Sequence, residues 1–191
     1  MEDRPPITII DNHDELRSSL ERSLRSVNQP VVAKQPDRTR ASESSKIFIE
    51  IPSNLEFLEC VTSYFIRRIE QAWSLPAGSC PNLSIALSES LINAIKHGNK
   101  SDTAKLVRIT SEVSNDEARF TVEDEGDGFD VKKVPHPRNP ENLLKTSGRG
   151  VLFIQSIMDE AQYNVPGNRL TMVKRRASLF GDKPVKLTSG Q

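Results

Sequence analysis

The sequence predicts an α+β fold, a two-layer sandwich in which helices cover one face of a mostly antiparallel, mixed sheet. Three observations lead there. The elements read strand, helix, helix, hairpin, loop, helix, hairpin; the helices carry one-sided apolar stripes; and short polar turns join neighbouring strands.

The first strand of this order comes from Ile47, Ile49 and Ile51 alternating with Phe48 and Glu50, with Pro52 as its stop. Ser53-x-x-Glu56 then has the form of a capping box, and Leu55, Leu58, Thr62, Phe65, Ile69 and Ala72 recur at helical spacing as a core stripe. A turn over Leu75 to Pro81 leads to a second helix, with Leu83, Leu87, Leu91, Ala94 and Ile95 facing inward and Gly98 as its C-cap. Strands over Lys105 to Val113 and Ala118 to Glu123 flank Ser114-Asn115-Asp116-Glu117, whose Asn and Asp suit a hairpin turn. After a long loop from Gly126 to Arg149 come a helix over about Gly150 to Asp159 and strands near Gln162 to Val165 and Leu170 to Lys174. A loop of that length is usually functional.

At 191 residues the chain is long enough to bury one sizeable core. Residues 28–45 are rich in Pro, Ser and charge and read as a flexible linker, so residues 1–45 are expected to be an arm, 46–176 the folded domain and 177–191 a tail. Within the arm, Ile7 to Ile10 and a stripe of Leu16, Leu20 and Leu24 hint at the opening strand and helix of a receiver domain, for which too little chain precedes Lys46.

Lys plus Arg and Asp plus Glu both number 26, so no global field favours nucleic acid or an anionic membrane. No apolar run is long enough for a membrane span, and Met-Glu-Asp-Arg-Pro-Pro has no cationic start of a secretory signal. Cys60 and Cys80 lack zinc spacing and make a poor disulfide framework. A cytoplasmic protein is the expectation.

The chemistry gathers in three places. On the second helix Glu89, Asn93, Lys96 and His97 are spaced by three and four and share the face opposite the leucines. Beside a triphosphate, Asn93 could ligate Mg²⁺ through its oxygen and Glu89 could accept a proton from an attacking hydroxyl. Alone, such a face is simply solvated. The second place is Asp124-Glu125-Gly126-Asp127-Gly128-Phe129 at a strand end, where the glycines admit a ligand and the Asp124 carboxylate could accept an adenine amino hydrogen. A calcium loop is disfavoured, because Pro135 stands where its last coordinating glutamate would be. The third is Thr146-Ser147-Gly148-Arg149-Gly150 before a helix, a ready anion site to which Arg149 could add a charged contact. Neither the Walker pattern nor the dinucleotide fingerprint is present.

Together these motifs resemble the gyrase, Hsp, histidine-kinase and MutL (GHKL, Bergerat-fold) ATPase superfamily, and within it the bacterial anti-sigma factor serine/threonine kinases, over roughly Lys46 to Arg176. The segment Leu87 to Gly98 looks like that family's N box, with Glu89 in the base position, Asn93 in the magnesium position and His97 on the same nucleotide-binding segment. The resemblance implies that Asp124 holds the adenine amino group, that Gly126 and Gly128 form the first glycine box, and that Gly148, Arg149 and Gly150 form the second, with an ATP lid between them. Thr171 would help to bind adenine from the last strand. It further implies ATP and Mg²⁺ as cofactors, a sigma factor and an anti-anti-sigma (STAS-type) protein as partners, and phosphorylation of a serine on the latter. Members of the family often dimerise, although no interface is legible in the sequence. Neither nucleic acid nor membrane is an expected partner.

A histidine kinase fits less well, because no dimerisation helix pair carries a phosphoacceptor and His13, His97 and His136 lie in no such context. Gyrase and MutL relatives would carry a transducer domain after the last strand. The alternative from another class is a non-catalytic, nucleotide-sensing module that sequesters a sigma factor or other regulator.

Overall fold

The structure is a computed structural model that describes residues 5–11, 14–25, 30–34, 46–129 and 149–179. Its strands are β1 (Ile7–Ile10), β2 (Val31–Lys34), β3 (Lys46–Pro52), β4 (Leu106–Val113), β5 (Glu117–Glu123), β6 (Glu160–Tyr163) and β7 (Arg169–Arg175). They form one sheet in the order β2-β1-β3-β4-β5-β7-β6. The β1–β2 pair is parallel and every other neighbouring pair antiparallel. The predicted two-layer α+β class with a mostly antiparallel mixed sheet is what the structure has.

Strand alternation builds the core. Ile47, Ile49 and Ile51 of β3, Val107 and Ile109 of β4, Ala118, Phe120 and Val122 of β5, and Leu170 and Met172 of β7 are all buried in one cluster. The same cluster holds Phe65 and Ile69 from α2 (Leu58–Ala72), Leu83, Leu87 and Leu91 from α3 (Pro81–Ile92), and Ile154 from α4 (Arg149–Ile157). The opposite face is laced instead with ion pairs, Lys46–Glu112, Arg108–Glu50 and Arg169–Glu123 among them.

Several local expectations are corrected. The cap before α2 is Asn54, whose Oδ1 accepts from the Glu56 amide at 3.0 Å and opens a 3₁₀ turn over Leu55–Phe57. Ser53 is buried and turned elsewhere, donating to the Lys105 carbonyl at 3.0 Å. Leu55 and Ala72 are exposed, and Val61, Tyr64 and Ile66 widen the buried stripe in their place. The indole of Trp73 closes α2 by donating to the Ser114 carbonyl at 2.8 Å. Val165, expected in a strand, lies beyond β6 and is fully exposed in the turn to β7.

The largest difference lies in the first 45 residues. Over its described residues this segment is no arm: β1, α1 (Asp14–Arg25) and β2 form a parallel β-α-β unit whose β1 pairs antiparallel with β3. Ile7, Ile9, Leu16, Leu20 and Leu24 join the common core. So does part of the expected linker, since Val31–Lys34 is β2; residues 35–45 lie outside the described residues. The anchor is Asp11, which has no exposed surface. It accepts a hydrogen bond from the Tyr64 hydroxyl, Arg68 lies 3.7 Å from its carboxylate, and its carbonyl accepts from Arg17 at 3.0 Å. Both Tyr64 and Arg68 come from α2, so the unit is stabilised by partners far along the chain. The hint of a receiver's opening strand and helix described local structure correctly and the assembly wrongly. Of the expected tail, Ala177 and Ser178 belong to a 3₁₀ turn over Arg176–Ser178, and residues 180–191 lie outside the described set.

Candidate functional site

The site forms where the end of α3 meets the end of β5. At Asn93 the α-helix of α3 widens into a π-helical turn over Asn93–Gly98. Such widened turns bulge a helix locally and recur at functional sites. The Asn99 amide accordingly reaches back to the Ala94 carbonyl at 2.8 Å.

Gly98 was expected as a helix C-cap, a place where glycine usually takes positive φ, but the positive φ values fall on Lys100 and Ser101. The absence of a side chain at Gly98 serves contact instead. A Cβ there would lie 2.2 Å from the Asp124 carboxyl carbon. Gly126 packs on the same spot, where a Cβ would meet the Gly98 carbonyl oxygen at 2.2 Å. Asp124 is thus enclosed by two glycine backbones.

The Asp124 carboxylate is buried and accepts one hydrogen bond, from the Gly126 amide at 2.8 Å. Burial pushes its pKa upward, and the Gly126 amide opposes the shift. Its backbone is clamped from the β6–β7 turn: the Asp124 amide donates to the Asn168 carbonyl at 3.0 Å, and the Asn168 side chain donates to the Asp124 carbonyl at 3.1 Å. Gly128 has φ +77, and a Cβ on it would meet the Pro166 carbonyl of that turn at 2.4 Å.

A second clamp comes from Asn99, which is buried and fully used. Its Nδ2 donates to Ser53 Oγ at 2.8 Å and to the Leu106 carbonyl at 2.9 Å, and its Oδ1 accepts from the Glu125 amide at 2.8 Å. Glu125 in turn accepts from the Leu106 amide and from Arg108, and the Leu106 bond leads in holding its pKa below the usual carboxylate range.

Glu89 and Asn93 meet the first turn of α4. A Cβ on Gly150 would lie 2.8 Å from Glu89 Oε2 and 3.3 and 3.5 Å from the two side-chain heteroatoms of Asn93. Asn93 Nδ2 is buried and finds no hydrogen-bond partner among the described residues. A buried amide without a partner is costly, so the side chain is poised for one that arrives with a ligand. Because amide N and O are assigned rather than seen, either end of Asn93 can face that ligand. Arg149 opens α4 beside Gly150, whereas Gly148 and residues 130–148 of the expected lid lie outside the described residues.

The structure therefore brings Glu89, Asn93 and Gly150 together at the start of α4, groups Asp124, Gly126 and Gly128 with Gly98 and the β6–β7 turn, and leaves two expected members out. His97 and Lys96 are exposed on the π-helical turn, and no hydrogen bond or ion pair among the described residues ties His97 to the site. Thr171 pairs with Thr121 in the β5–β7 register, their hydroxyls 3.5 Å apart. Its neighbours Leu170 and Met172 point into the core, so Thr171 faces away from the helices, on the ion-paired side. A reading by residue type alone could not tell which face of β7 a threonine occupies.

Sequence reasoning missed Asn99 and Asn168. Asn99 directly follows Gly98, and Asn164-Val165-Pro166-Gly167-Asn168 is a strong turn signal, so both were visible as turn residues though not as clamps. Asn164 Oδ1 indeed accepts from the Gly167 and Arg169 amides.

Comparison with known proteins agrees with this geometry. The chain is similar to the serine-protein kinase RsbW of Staphylococcus aureus, 28% identical over 142 residues that span 69% of this chain and 89% of the relative. It is also similar to the serine-protein kinase RsbW of Oceanobacillus iheyensis, 27% identical over 92 residues, or 45% of this chain and 58% of that one. No helix among the described residues is long and apolar enough to cross a membrane. The family model for the histidine kinase-like ATPase domain matches residues 51–174, from the end of β3 to β7 and across every part of the site, and the chain belongs to that family.

Proposed function

We propose that this protein is an ATP- and Mg²⁺-dependent serine/threonine protein kinase that acts as an anti-sigma regulatory factor, binding a sigma factor and phosphorylating a serine of an anti-anti-sigma, STAS-type partner. The observation that carries the nucleotide reading is the buried Asn93 amide, which has no partner among the described residues and lies with Glu89 against Gly150, on the helix whose following turn encloses the Asp124 carboxylate at Gly98. Kinship with serine-protein kinases and the resemblance of the Leu87 to Gly98 segment support the transfer step and the partners.

In this reading the Asp124 carboxylate accepts from the exocyclic amino group of adenine, while Gly126 and Gly128 let the loop pack closely on Gly98 and on the β6–β7 turn and so fix that carboxylate. The amides at the start of α4, with Gly148, Arg149 and Gly150, meet the phosphates. Among the described residues no three His, Cys, Asp or Glu side chains cluster as a metal cage. Mg²⁺ would be held by the side chain of Asn93, whose amide has no partner among the described residues, together with the phosphates. Magnesium, when bound, offsets the negative charge of the phosphates. Glu89, within reach of the α4 first turn, accepts the proton of the attacking serine hydroxyl as that oxygen bonds to the γ-phosphorus and ADP leaves. The resemblance to the anti-sigma factor kinases carries the further proposal of a homodimer, and the sequence the proposal that it acts in the cytoplasm.

The test is incubation with γ-labelled ATP, Mg²⁺ and the anti-anti-sigma-type proteins of the same organism. Label should pass to a partner serine with the wild type, and Glu89→Gln should lower that rate by about 10²- to 10⁴-fold while ATP still binds. Binding of ATP with no transfer to any partner would favour a sequestering module without kinase activity.

A further inference from the structure

Beside Asp124, the helix-facing side of the sheet continues onto β6 through Tyr163. Register sets it there: Tyr163 pairs with Leu170, which pairs in turn with Val122, two residues before Asp124. Its ring packs edge-on against Phe129 of the loop after Gly128, with centroids 5.0 Å apart. Its hydroxyl oxygen is buried, yet finds no hydrogen-bond partner among the described residues. Burial first, and the Asp124 charge second, push the phenol up to about 12, so the O–H keeps its proton and remains a donor.

A phenylalanine would fill the same space without the cost of an unsatisfied hydroxyl. Tyr163 Oη thus lacks a partner among the described residues, and the carboxylate of Asp124, close enough for its charge to act on that phenol, is the acceptor beside it. Asp124 can only accept when ionised, whereas Tyr163 offers a donor, and the Watson–Crick and Hoogsteen edges of adenine each present an amino donor next to a ring-nitrogen acceptor.

We propose that Tyr163 is a second base-reading residue, its hydroxyl donating a hydrogen bond to a ring nitrogen of the purine whose amino group is held by Asp124. This rests on the nucleotide reading of the site and extends it to a specificity-determining contact on β6. The hydroxyl, without a partner among the described residues, gains its acceptor from the ligand, so its contribution appears in binding and not in the stability of the free chain.

The experiment is titration of wild type and Tyr163→Phe with ATP and with its 1-deaza, 3-deaza and 7-deaza analogues, alongside thermal melts of both proteins without nucleotide. Tyr163→Phe should melt no lower than wild type and bind ATP about three- to tenfold more weakly. One deaza analogue should show a similar loss with wild type and no further loss with Tyr163→Phe, which identifies the nitrogen that is read. Equal affinity of the two proteins for ATP would overturn the inference and leave the nucleotide reading standing. An equal loss for all four nucleotides would also overturn it, by assigning Tyr163 a packing role. Failure of wild type to bind any of the four would overturn both.

Discussion

Gly98 and Asp124 touch so closely that any side chain at residue 98 must displace the carboxyl group, since a Cβ would stand 2.2 Å from its central carbon. The flexible tip of a side chain could yield, but Asp124 is held by the Gly126 amide and by both clamps from Asn168. Gly98→Ala should therefore cost about 1–3 kcal/mol, as overpacking does, and weaken nucleotide binding with it. Chemical denaturation together with a binding titration checks both effects.

The Asp124 carboxyl has its pKa raised by burial, so the folded chain holds that proton more tightly than the unfolded one. Its contribution to stability is fully present below the unfolded value and is lost as pH rises through the folded value. Asp124→Asn keeps the shape and an acceptor for the Gly126 amide while removing the buried charge. In melts across the acidic range, the variant should be more stable than wild type near neutrality, and its advantage should shrink as pH falls through the carboxylate range.

Asn99 joins three segments through three hydrogen bonds, to Ser53, Leu106 and Glu125. Asn99→Ala removes all three bonds, one of them buried and two part-buried, and should cost about 2–4 kcal/mol. If its unfolding midpoint matched that of wild type, the clamp would have no energetic weight.

The N-terminal unit depends on Asp11, which is fully buried between Tyr64 and Arg68 of α2. Asp11→Ala leaves a guanidinium and a phenol facing a cavity and should cost about 3–5 kcal/mol. Hydrogen exchange in β1 and α1 should rise in this variant beyond that in β4 and β5 if the unit loosens first.

What was legible in the sequence follows from how local the signal is. The isoleucine alternation of β3 and the leucine spacing of α3 are set by their own periods, so fold class and helix faces could be read directly. The acid and amide groups of the site were legible because Glu89 and Asn93 stand one turn apart and Asp124 ends a strand before glycines. The β1-α1-β2 unit was not, because its short strands gain their burial from β3 and its charge partners from α2. Thr171 was misplaced because strand polarity is fixed only by pairing, here with Thr121. Tyr163 was invisible as a site residue because only the sheet register carries it beside Asp124.

The most direct test of the central claim is a calorimetric titration of ATP with Mg²⁺ into wild type and Asp124→Ala. The account predicts saturable binding by wild type and a loss of at least about tenfold in affinity for the variant, the scale of a hydrogen bond to a charged group. Equal binding by both proteins, or none by wild type, would contradict it.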